Sequence, residues 1–212
     1  TTNRAKLSQC WGAMAMDLGA FTPFFHAFRE RESINDIMEE TCGARLTMNY
    51  MVPGGVMVDI HPTFCKKVKD FIVHFRSKID EYDTLLTGNI IFRNRMEGIG
   101  VLTKEDAISF GCSGPVARAS GVACDIRKLY PYEVYDKVNF EEILAVEGDS
   151  MARYKVRLQE MRQSMNIIEQ LIDNIPEGEF QAKTKAVLKL PKGEFYTRVE
   201  TARGELGVYV VS

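Results

Sequence analysis

The clearest hydrophobic pattern in the chain lies between residues 151 and 175. Apolar side chains recur there at alternating steps of three and four, at Met151, Tyr154, Leu158, Met161, Met165, Ile168, Ile172 and Ile175. This period predicts a long α-helix packed inside a helical bundle. Pro176 and Gly178 follow directly and are predicted to end the helix.

A second apolar stripe follows Thr63, at Phe64, Val68, Phe71, Phe75, Ile79 and Tyr82. It predicts an amphipathic helix, and we expect its other face to be exposed to solvent. That polar face carries Lys66, Lys67, Lys69 and Asp70.

Small and apolar residues dominate on all sides between residues 6 and 21, which predicts a buried helix. Asp17 is the one acid near the end of this segment. An unpaired buried charge costs several kcal/mol, so Asp17 is expected to be paired, protonated or open to an internal cavity. Asp17 is therefore the first candidate for a functional residue.

A second helix is predicted to start with Thr22 as its N-cap and Pro23 in its first turn, and to end near Gly43. Its run of alternating charges, residues 29–32, is expected on a solvated face. After it, Pro53-Gly54-Gly55 predicts a turn that brings bare backbone close to a neighbouring segment.

The rest of the chain is broken into shorter pieces. Glycines and prolines between residues 88 and 139 predict loops and short helices. Residues 186–212 have β-branched and aromatic residues around Pro191-Lys192-Gly193 and Arg203-Gly204-Glu205, which predicts short strands joined by turns. The expected fold is mainly α with a small β part, in one domain over residues 1–212, helical over 1–176 and strand-rich over 186–212.

Composition narrows the possible functions. The 27 Lys and Arg residues are balanced by 29 Asp and Glu residues, with a formal net charge of -2, so nucleic acid is not an expected partner. No run approaches the roughly 20 apolar residues of a transmembrane segment. Five scattered cysteines and three histidines form no ligand pair, so no metal site is expected. The glycine-rich residues 111–121 lack the Gly-Lys-Ser/Thr ending of a phosphate-binding loop.

Both ends of the chain look cut. The strand-like residues 206–211 reach the last residue without a following turn, and the first helix looks as if it is entered part-way. We therefore expect a fragment of a longer protein.

Several short motifs, in this order along the chain, resemble one known family. They are Asp17-Leu18-Gly19-Ala20-Phe21-Thr22-Pro23-Phe24-Phe25, Gly43-Ala44-Arg45, Pro53-Gly54-Gly55-Val56, Asp125-Ile126-Arg127-Lys128 with Pro131-Tyr132 and Tyr135-Asp136, Gly148-Asp149 with Arg153-Tyr154, and Arg203-Gly204-Glu205-Leu206-Gly207-Val208-Tyr209-Val210-Val211-Ser212. The family is the D subunit of the bacterial respiratory NADH:quinone oxidoreductase, complex I. The resemblance covers essentially the whole chain.

The resemblance implies a fold like that of the large subunit of nickel-iron hydrogenases, here its central fragment. It implies a peripheral position on the cytoplasmic face of the bacterial inner membrane, beside the subunit that holds the terminal iron-sulfur cluster. Quinone is the implied substrate, NAD and the iron-sulfur clusters belong to other subunits, and this chain alone binds no cofactor. Asp17 matches the family's acid on the wall of the quinone chamber, and Pro53, Gly54 and Gly55 are expected in a loop nearby.

In that family the acid pairs with a His of an N-terminal hairpin, which binds the quinone head group together with a Tyr; both lie upstream of Thr1. Two positions depart from the family's pattern. Many relatives have a His near the terminal cluster where this chain has Leu7, and often an Arg where it has Val52.

Two alternatives stay open from sequence. One is the large subunit of a membrane-bound nickel-iron hydrogenase, whose metal-binding cysteine pairs lie near the termini of the full-length protein. The other is a helical assembly piece without chemistry of its own.

Overall fold

The computed structural model describes residues 2–185 and 189–212, with side chains from Cys10 onward. Its helices are α1 Thr2–Asp17, α2 Phe21–Cys42, α3 Phe64–Tyr82, α4 Ile90–Met96, α5 Lys104–Ser109, α6 Gly114–Ala119, α7 Ile126–Leu129 and α8 Ser150–Ile172. Its strands are β1 Met51–Val52, β2 Gly55–Val56, β3 Glu194–Thr201 and β4 Gly204–Val211, in two antiparallel pairs. The predicted mainly α architecture with a small β part is confirmed.

Helix α8 contributes the longest buried stripe of the main core and contacts α1, α3, α4 and α6. Asp149 fixes its start, because its carboxylate accepts hydrogen bonds from the amides of Ala152 at 2.7 Å and Gly98 at 2.8 Å. The predicted stripe is buried at Met151, Tyr154, Leu158, Met161, Met165 and Ile172. The periodicity therefore identified the core face of this helix correctly.

The end of α8 lies earlier than predicted. The helix stops at Ile172, so Ile175 is outside it and 39% exposed. Asn174 Nδ2 donates to the Gln170 carbonyl at 2.8 Å, which satisfies one of the last helical carbonyls. Because a proline disfavours the α conformation in the residue before it, Pro176 ends the helix before the proline is reached.

Helix α3 is amphipathic, as its stripe predicts. It buries Ile72, Phe75, Ile79 and Tyr82, and Tyr82 stacks on Trp11 of α1 with ring centroids 4.3 Å apart. The predicted solvent face, Lys66, Lys67, Lys69 and Asp70, is exposed. From that face Lys67 Nζ donates to Glu40 Oε1 at 2.6 Å, which links α3 to α2. A π-helical turn, Asp83–Thr87, follows α3 directly.

Helix α1 is not buried on all sides, which corrects the prediction. Trp11, Gly12 and Ala15 are buried, whereas Asp17 is exposed. Trp11 and Ala15 are four residues apart and share the face that packs on the rest of the molecule. The side chain of Leu7, also in α1, lies outside the described part of the chain.

Helix α2 has the predicted Pro23 in its first turn, but Ala20 rather than Thr22 is its N-cap. Ala20 is the last extended residue (φ -104°, ψ 94°), and Thr22 is already helical, so its hydroxyl cannot cap the helix. The predicted end is confirmed: Gly43 follows with φ 75° and its amide donates to the Glu39 carbonyl at 2.8 Å.

The charge run in α2 is not uniformly solvated, because Glu30 is 1% exposed. Four consecutive residues span more than one turn of a helix, so one of them must face inward. Glu30 Oε1 accepts from Arg29 Nε at 2.7 Å, and Glu30 Oε2 lies 2.7 Å from His74 Nε2 on α3. The buried carboxylate thus has partners on both helices.

Residues 88–139 form the predicted short helices and loops, α4 to α7 and a 3-10 turn, Tyr135–Lys137. In the tail, β3 and β4 form a hairpin with Glu194 opposite Val211 and Thr201 opposite Gly204. The turn residues are therefore 202 and 203, so that of the predicted turn residues only Arg203 lies in the turn, while Gly204 and Glu205 begin β4. Residues 186–188, where the predicted strand-rich tail begins, lie outside the described residues.

Candidate functional site

Asp17 lies at the C-terminal end of α1 and is exposed in this chain. The expectation that it is buried, and so needs a partner or an internal cavity, is therefore wrong for the chain by itself. The apolar residues around Asp17 in the sequence are directed to another face, because Trp11, Ala15 and Leu18 recur at helical spacing and Asp17 does not join that series.

The turn that follows Asp17 is closely defined. The amide of Gly19 donates to the Met16 carbonyl at 2.9 Å, and that of Ala20 to the Ala15 carbonyl at 2.8 Å. Gly19 has φ 86°, the left-handed conformation that ends helices and that favours glycine. Arg95 Nη1 of α4 donates to the Leu18 carbonyl at 2.7 Å. The position of Asp17 is thus set by a helix terminus and by a second helix.

Large apolar side chains lie close to this turn and are open to solvent. Phe21 and Phe25, four residues apart on α2, are 60% and 67% exposed. Ile91, 62% exposed, shares a face of α4 with Arg95. We call Asp17, Phe21, Phe25, Ile91 and Arg95 the Asp17 surface. A contiguous apolar patch is the kind of surface that binds a ligand or another protein, whereas single exposed apolar side chains are common on any protein.

Pro53 and Gly54 form the turn of the β1–β2 hairpin, and Gly55 begins β2 opposite Val52. The amide of Val56 donates to the Phe180 carbonyl at 3.1 Å, and that of Ala182 to the Gly54 carbonyl at 2.9 Å. The glycines therefore bring bare backbone against a neighbouring segment, as predicted.

The structure does not bring this hairpin and Asp17 together through any contact among the described residues. Asp17 precedes the first residue of α2, and the hairpin follows its last; a helix of 22 residues is roughly 33 Å long. The close neighbours of Gly54 and Gly55 belong to residues 180–184. A shared quinone chamber for Asp17 and Pro53-Gly54-Gly55 stays a prediction.

We expect Gly55→Ala to loosen the contact between the hairpin and residues 180–182. A Cβ at Gly55 would lie 2.2 Å from the Phe180 carbonyl oxygen, and relieving such overlap costs about 1–3 kcal/mol. Faster protease cleavage around residues 178–185 is the expected result. Gly178→Ala is the matched control. Its φ is also positive, at 129°, but a Cβ at Gly178 would have no neighbouring atom within 4 Å. Equal cleavage rates in the two variants would contradict the steric argument.

A buried ionic cluster, not found from the sequence, joins α6, α8 and β3. Arg118, 1% exposed, donates through Nε to Glu160 Oε1 at 2.8 Å and through Nη1 to Glu200 Oε1 at 2.9 Å. Next to it, Asp125 Oδ1 accepts from the backbone amide of Arg127 at 3.0 Å and from Arg127 Nε at 2.9 Å. Arg118 stands among small residues in the sequence, which is the same kind of anomaly that singled out Asp17.

Burial dominates the electrostatics of this cluster. It raises the pKa of both Glu160 and Glu200, and Arg118, one cation shared by two carboxyl groups, offsets this only in part. For Asp125, burial also acts to raise the pKa, but the hydrogen bond and charge of Arg127 outweigh it and the pKa is lowered. The cluster links the β3–β4 hairpin to the helices and lies in the interior, so we interpret it as structural.

Two cavities lie elsewhere in the described residues. An apolar groove of about 210 Å³ lies between α2, α3 and α8, and a cleft of about 750 Å³ is lined by Asp83, Glu97, Glu147, Asp149 and Lys155 among others. Neither is lined by Asp17. Because Asp17 is exposed in this chain, a closed chamber around it needs a second surface.

The described residues contain no group of three or more His, Cys, Asp or Glu side chains placed to hold a metal ion. No helix among them is long and apolar enough to cross a bilayer.

Comparison with known proteins gives a consistent result. A family model described as respiratory-chain NADH dehydrogenase, 49 Kd subunit, matches residues 17–189. The C/D subunit of the NADH-quinone oxidoreductase from Bacteroides thetaiotaomicron is 58% identical over 202 residues, which are 95% of this chain and 38% of that protein. The D subunit of the same type of enzyme from Bacillus mycoides is 44% identical over 203 residues, 95% of this chain and 56% of that protein.

The chain thus spans between 38% and 56% of the length of these relatives. The match confirms the resemblance inferred from the motifs and favours it over the hydrogenase alternative. With both the family model and the relatives covering most of its length, this chain belongs to the 49 kDa subunit family of the respiratory-chain NADH dehydrogenase.

Proposed function

We propose that this chain forms part of the wall of a quinone chamber in a respiratory NADH:quinone oxidoreductase, with Asp17 facing the quinone. The observation that carries the proposal is the Asp17 surface, where one exposed carboxylate ends α1 and two exposed phenyl groups lie in the first turns of α2. The names of the relatives, NADH-quinone oxidoreductase subunits, supply the reaction class.

The chemistry suits these residues. A quinone takes up two electrons and two protons to become a quinol, so its reduction needs groups that hold or pass on protons. A carboxylate in a closed, poorly hydrated site can do this, because the loss of water makes its protonated form easier to reach. The apolar side chains Phe21, Phe25 and Ile91 offer the kind of surface on which an aromatic ring and a hydrocarbon tail bind.

The chamber needs a second wall, because the Asp17 surface is open in this chain. We place there the subunit that carries the terminal iron-sulfur cluster, which supplies the electrons, while NAD is bound by another subunit. The hydrogenase-like fold and a peripheral position on the cytoplasmic face of the bacterial inner membrane belong to the same proposal.

The test is Asp17→Asn in the intact complex, measured as NADH oxidation linked to quinone. Loss of a group that transfers protons lowers turnover by about a hundredfold or more. Assembly, and NADH oxidation with an artificial acceptor that bypasses the quinone, are expected to stay unchanged.

Asp173→Asn is the matched control, because Asp173 is also an exposed carboxylate at the end of a long helix, α8. We expect this variant to keep normal quinone turnover. Full quinone activity in Asp17→Asn would leave Asp17 as a surface residue and would favour the helical assembly piece without its own chemistry.

A further inference from the structure

We infer that Arg95 is a positioning residue for Asp17: it holds the turn that ends α1 and so fixes where the Asp17 carboxylate stands. The inference deepens the proposed function and rests on it. Neither the motifs nor the relatives' names assign Arg95 a role. What points to it is a contact between two residues that are 77 positions apart in the chain, Arg95 on α4 and Leu18 just after α1.

The contact occurs where a helix most needs a donor. The last carbonyls of an α-helix lack intrahelical partners, and the helix dipole makes this end partly negative. Arg95 Nη1 donates to the Leu18 carbonyl at 2.7 Å, one residue beyond Asp17. A charged donor at this end therefore both satisfies the carbonyl and interacts favourably with the dipole.

The helix that carries Arg95, α4, is held in place by core packing and by an N-cap. Its neighbours Phe92 and Met96 are 5% and 4% exposed, and Phe92 packs edge-on against Tyr154 with centroids 5.1 Å apart. Asn89 caps the start of α4, because its side chain accepts from the Ile91 amide at 2.9 Å. Arg95 thus connects the turn after Asp17 to the core of α8.

Leu18 and Ala20 anchor the turn through apolar packing against the main core, and Arg95 adds the polar contact at the Leu18 carbonyl. Gly19 has no side chain to pack, and the nearest atom that a Cβ at this position would meet is Arg95 Nη1, at 4.0 Å. Without Arg95 the Leu18 carbonyl loses its charged donor and the end of α1 gains freedom. Since a misplacement of about 1 Å can cost a hundredfold in rate, even a small shift of Asp17 matters for proton transfer.

The first experiment is Arg95→Met in the intact complex, which keeps the unbranched apolar part of the side chain and removes its donors. We expect kcat for quinone-linked NADH oxidation to fall about tenfold, the worth of one hydrogen bond to a charged group. The KM for a water-soluble quinone is expected to change little, because the lost effect lies in the reaction step rather than in binding.

Two variants make this result specific. Arg95→Lys keeps a charged donor and is expected to restore most of the lost kcat. Arg93→Met is the matched control, because Arg93 is also exposed on α4 but pairs with Glu97, at 2.8 Å, and it should keep normal turnover. NADH oxidation with an artificial acceptor measures whether the complex has assembled. If Arg95→Met does not assemble, it is replaced by Arg95→Gln, because the glutamine amide is too short to reach the Leu18 carbonyl.

The second experiment is a double-mutant cycle with Asp17→Asn. If Arg95 acts through Asp17, adding Arg95→Met to Asp17→Asn lowers turnover by less than about twofold, against about tenfold in the wild-type background. The same fold loss in both backgrounds, or normal kcat in Arg95→Met, would overturn the inference and leave the proposed function in place. Normal turnover in Asp17→Asn would overturn both.

Discussion

Leu158→Asp is expected to prevent the chain from folding. Leu158 is 2% exposed and lies in the middle of the core stripe of α8. The substitution removes an apolar side chain, which alone costs about 2–5 kcal/mol, and leaves a carboxylate without a partner in the core. A total cost above about 3 kcal/mol is a large part of the stability of a typical domain. Loss of soluble protein, and loss of the thermal unfolding transition in what remains, are the expected results.

The control is Gln159→Asp, the next residue of the same helix. Gln159 is exposed, so the same carboxylate is introduced with the same helix propensity but into water. We expect a change within about 0.5 kcal/mol. Normal unfolding of Leu158→Asp would mean that the stripe is a surface and that α8 does not form the core.

Arg118→Met is expected to be the second most damaging change. The side chains of Arg118, Glu160 and Glu200 are only 2%, 10% and 4% exposed. Removing the shared cation leaves two buried carboxylates without their partner, which costs about 3–5 kcal/mol. The β3–β4 hairpin is expected to detach first, because Glu200 is its ionic link to α6. Thermal unfolding and protease cleavage within residues 194–211 measure the two effects.

The effect should depend on pH in a defined direction. The pKa of Glu160 and of Glu200 is raised in the folded protein, so their contribution to stability is complete below the unfolded value near 4.3 and is lost as pH rises through the folded value. Arg118 lowers the pKa of both glutamates, so removing it raises these two pKa values further. The stability of Arg118→Met is therefore expected to be closest to that of the wild type in mild acid. The largest loss of stability is expected at neutral pH and above.

Two further sets of variants test the role of charge. Arg76→Met removes an exposed arginine whose partner Glu169 is also exposed, 45% and 62% by side chain, and should cost less than about 1 kcal/mol. Glu160→Gln and Glu200→Gln, added to Arg118→Met, should recover part of the lost stability at neutral pH. If Arg118→Met loses the same amount of stability at all pH values, Arg118 stabilises the fold through packing rather than through its charge.

The motifs and the periodic stripes were enough to establish the family, the helical class and the core face of α8. The stripe on α3 worked for the same reason: a helix that packs on a core repeats its apolar residues at the spacing of its turns, and that spacing can be read from one sequence. Local turn chemistry was equally readable at Gly43 and at Gly54 and Gly55, because left-handed backbone and close backbone approach both favour glycine.

The burial of individual charged residues could not be predicted from the sequence. Asp17 lies among apolar neighbours in sequence yet is exposed, while Glu30 lies in a charged run yet is 1% exposed. The reason is that consecutive helical residues point in different directions, so the neighbours of a residue in the sequence are not its neighbours in space.

What the sequence determined by itself was local and cumulative: the helices, the turns that need glycine, and a family membership carried by many motifs in one order. What only the tertiary structure decided was which distant residues meet, namely Arg118 with Glu160 and Glu200, and Arg95 with the Leu18 carbonyl. These contacts join residues that are between 42 and 82 positions apart in the chain. No local pattern encodes them, because they arise only when the packing of the apolar faces has set the positions of the helices.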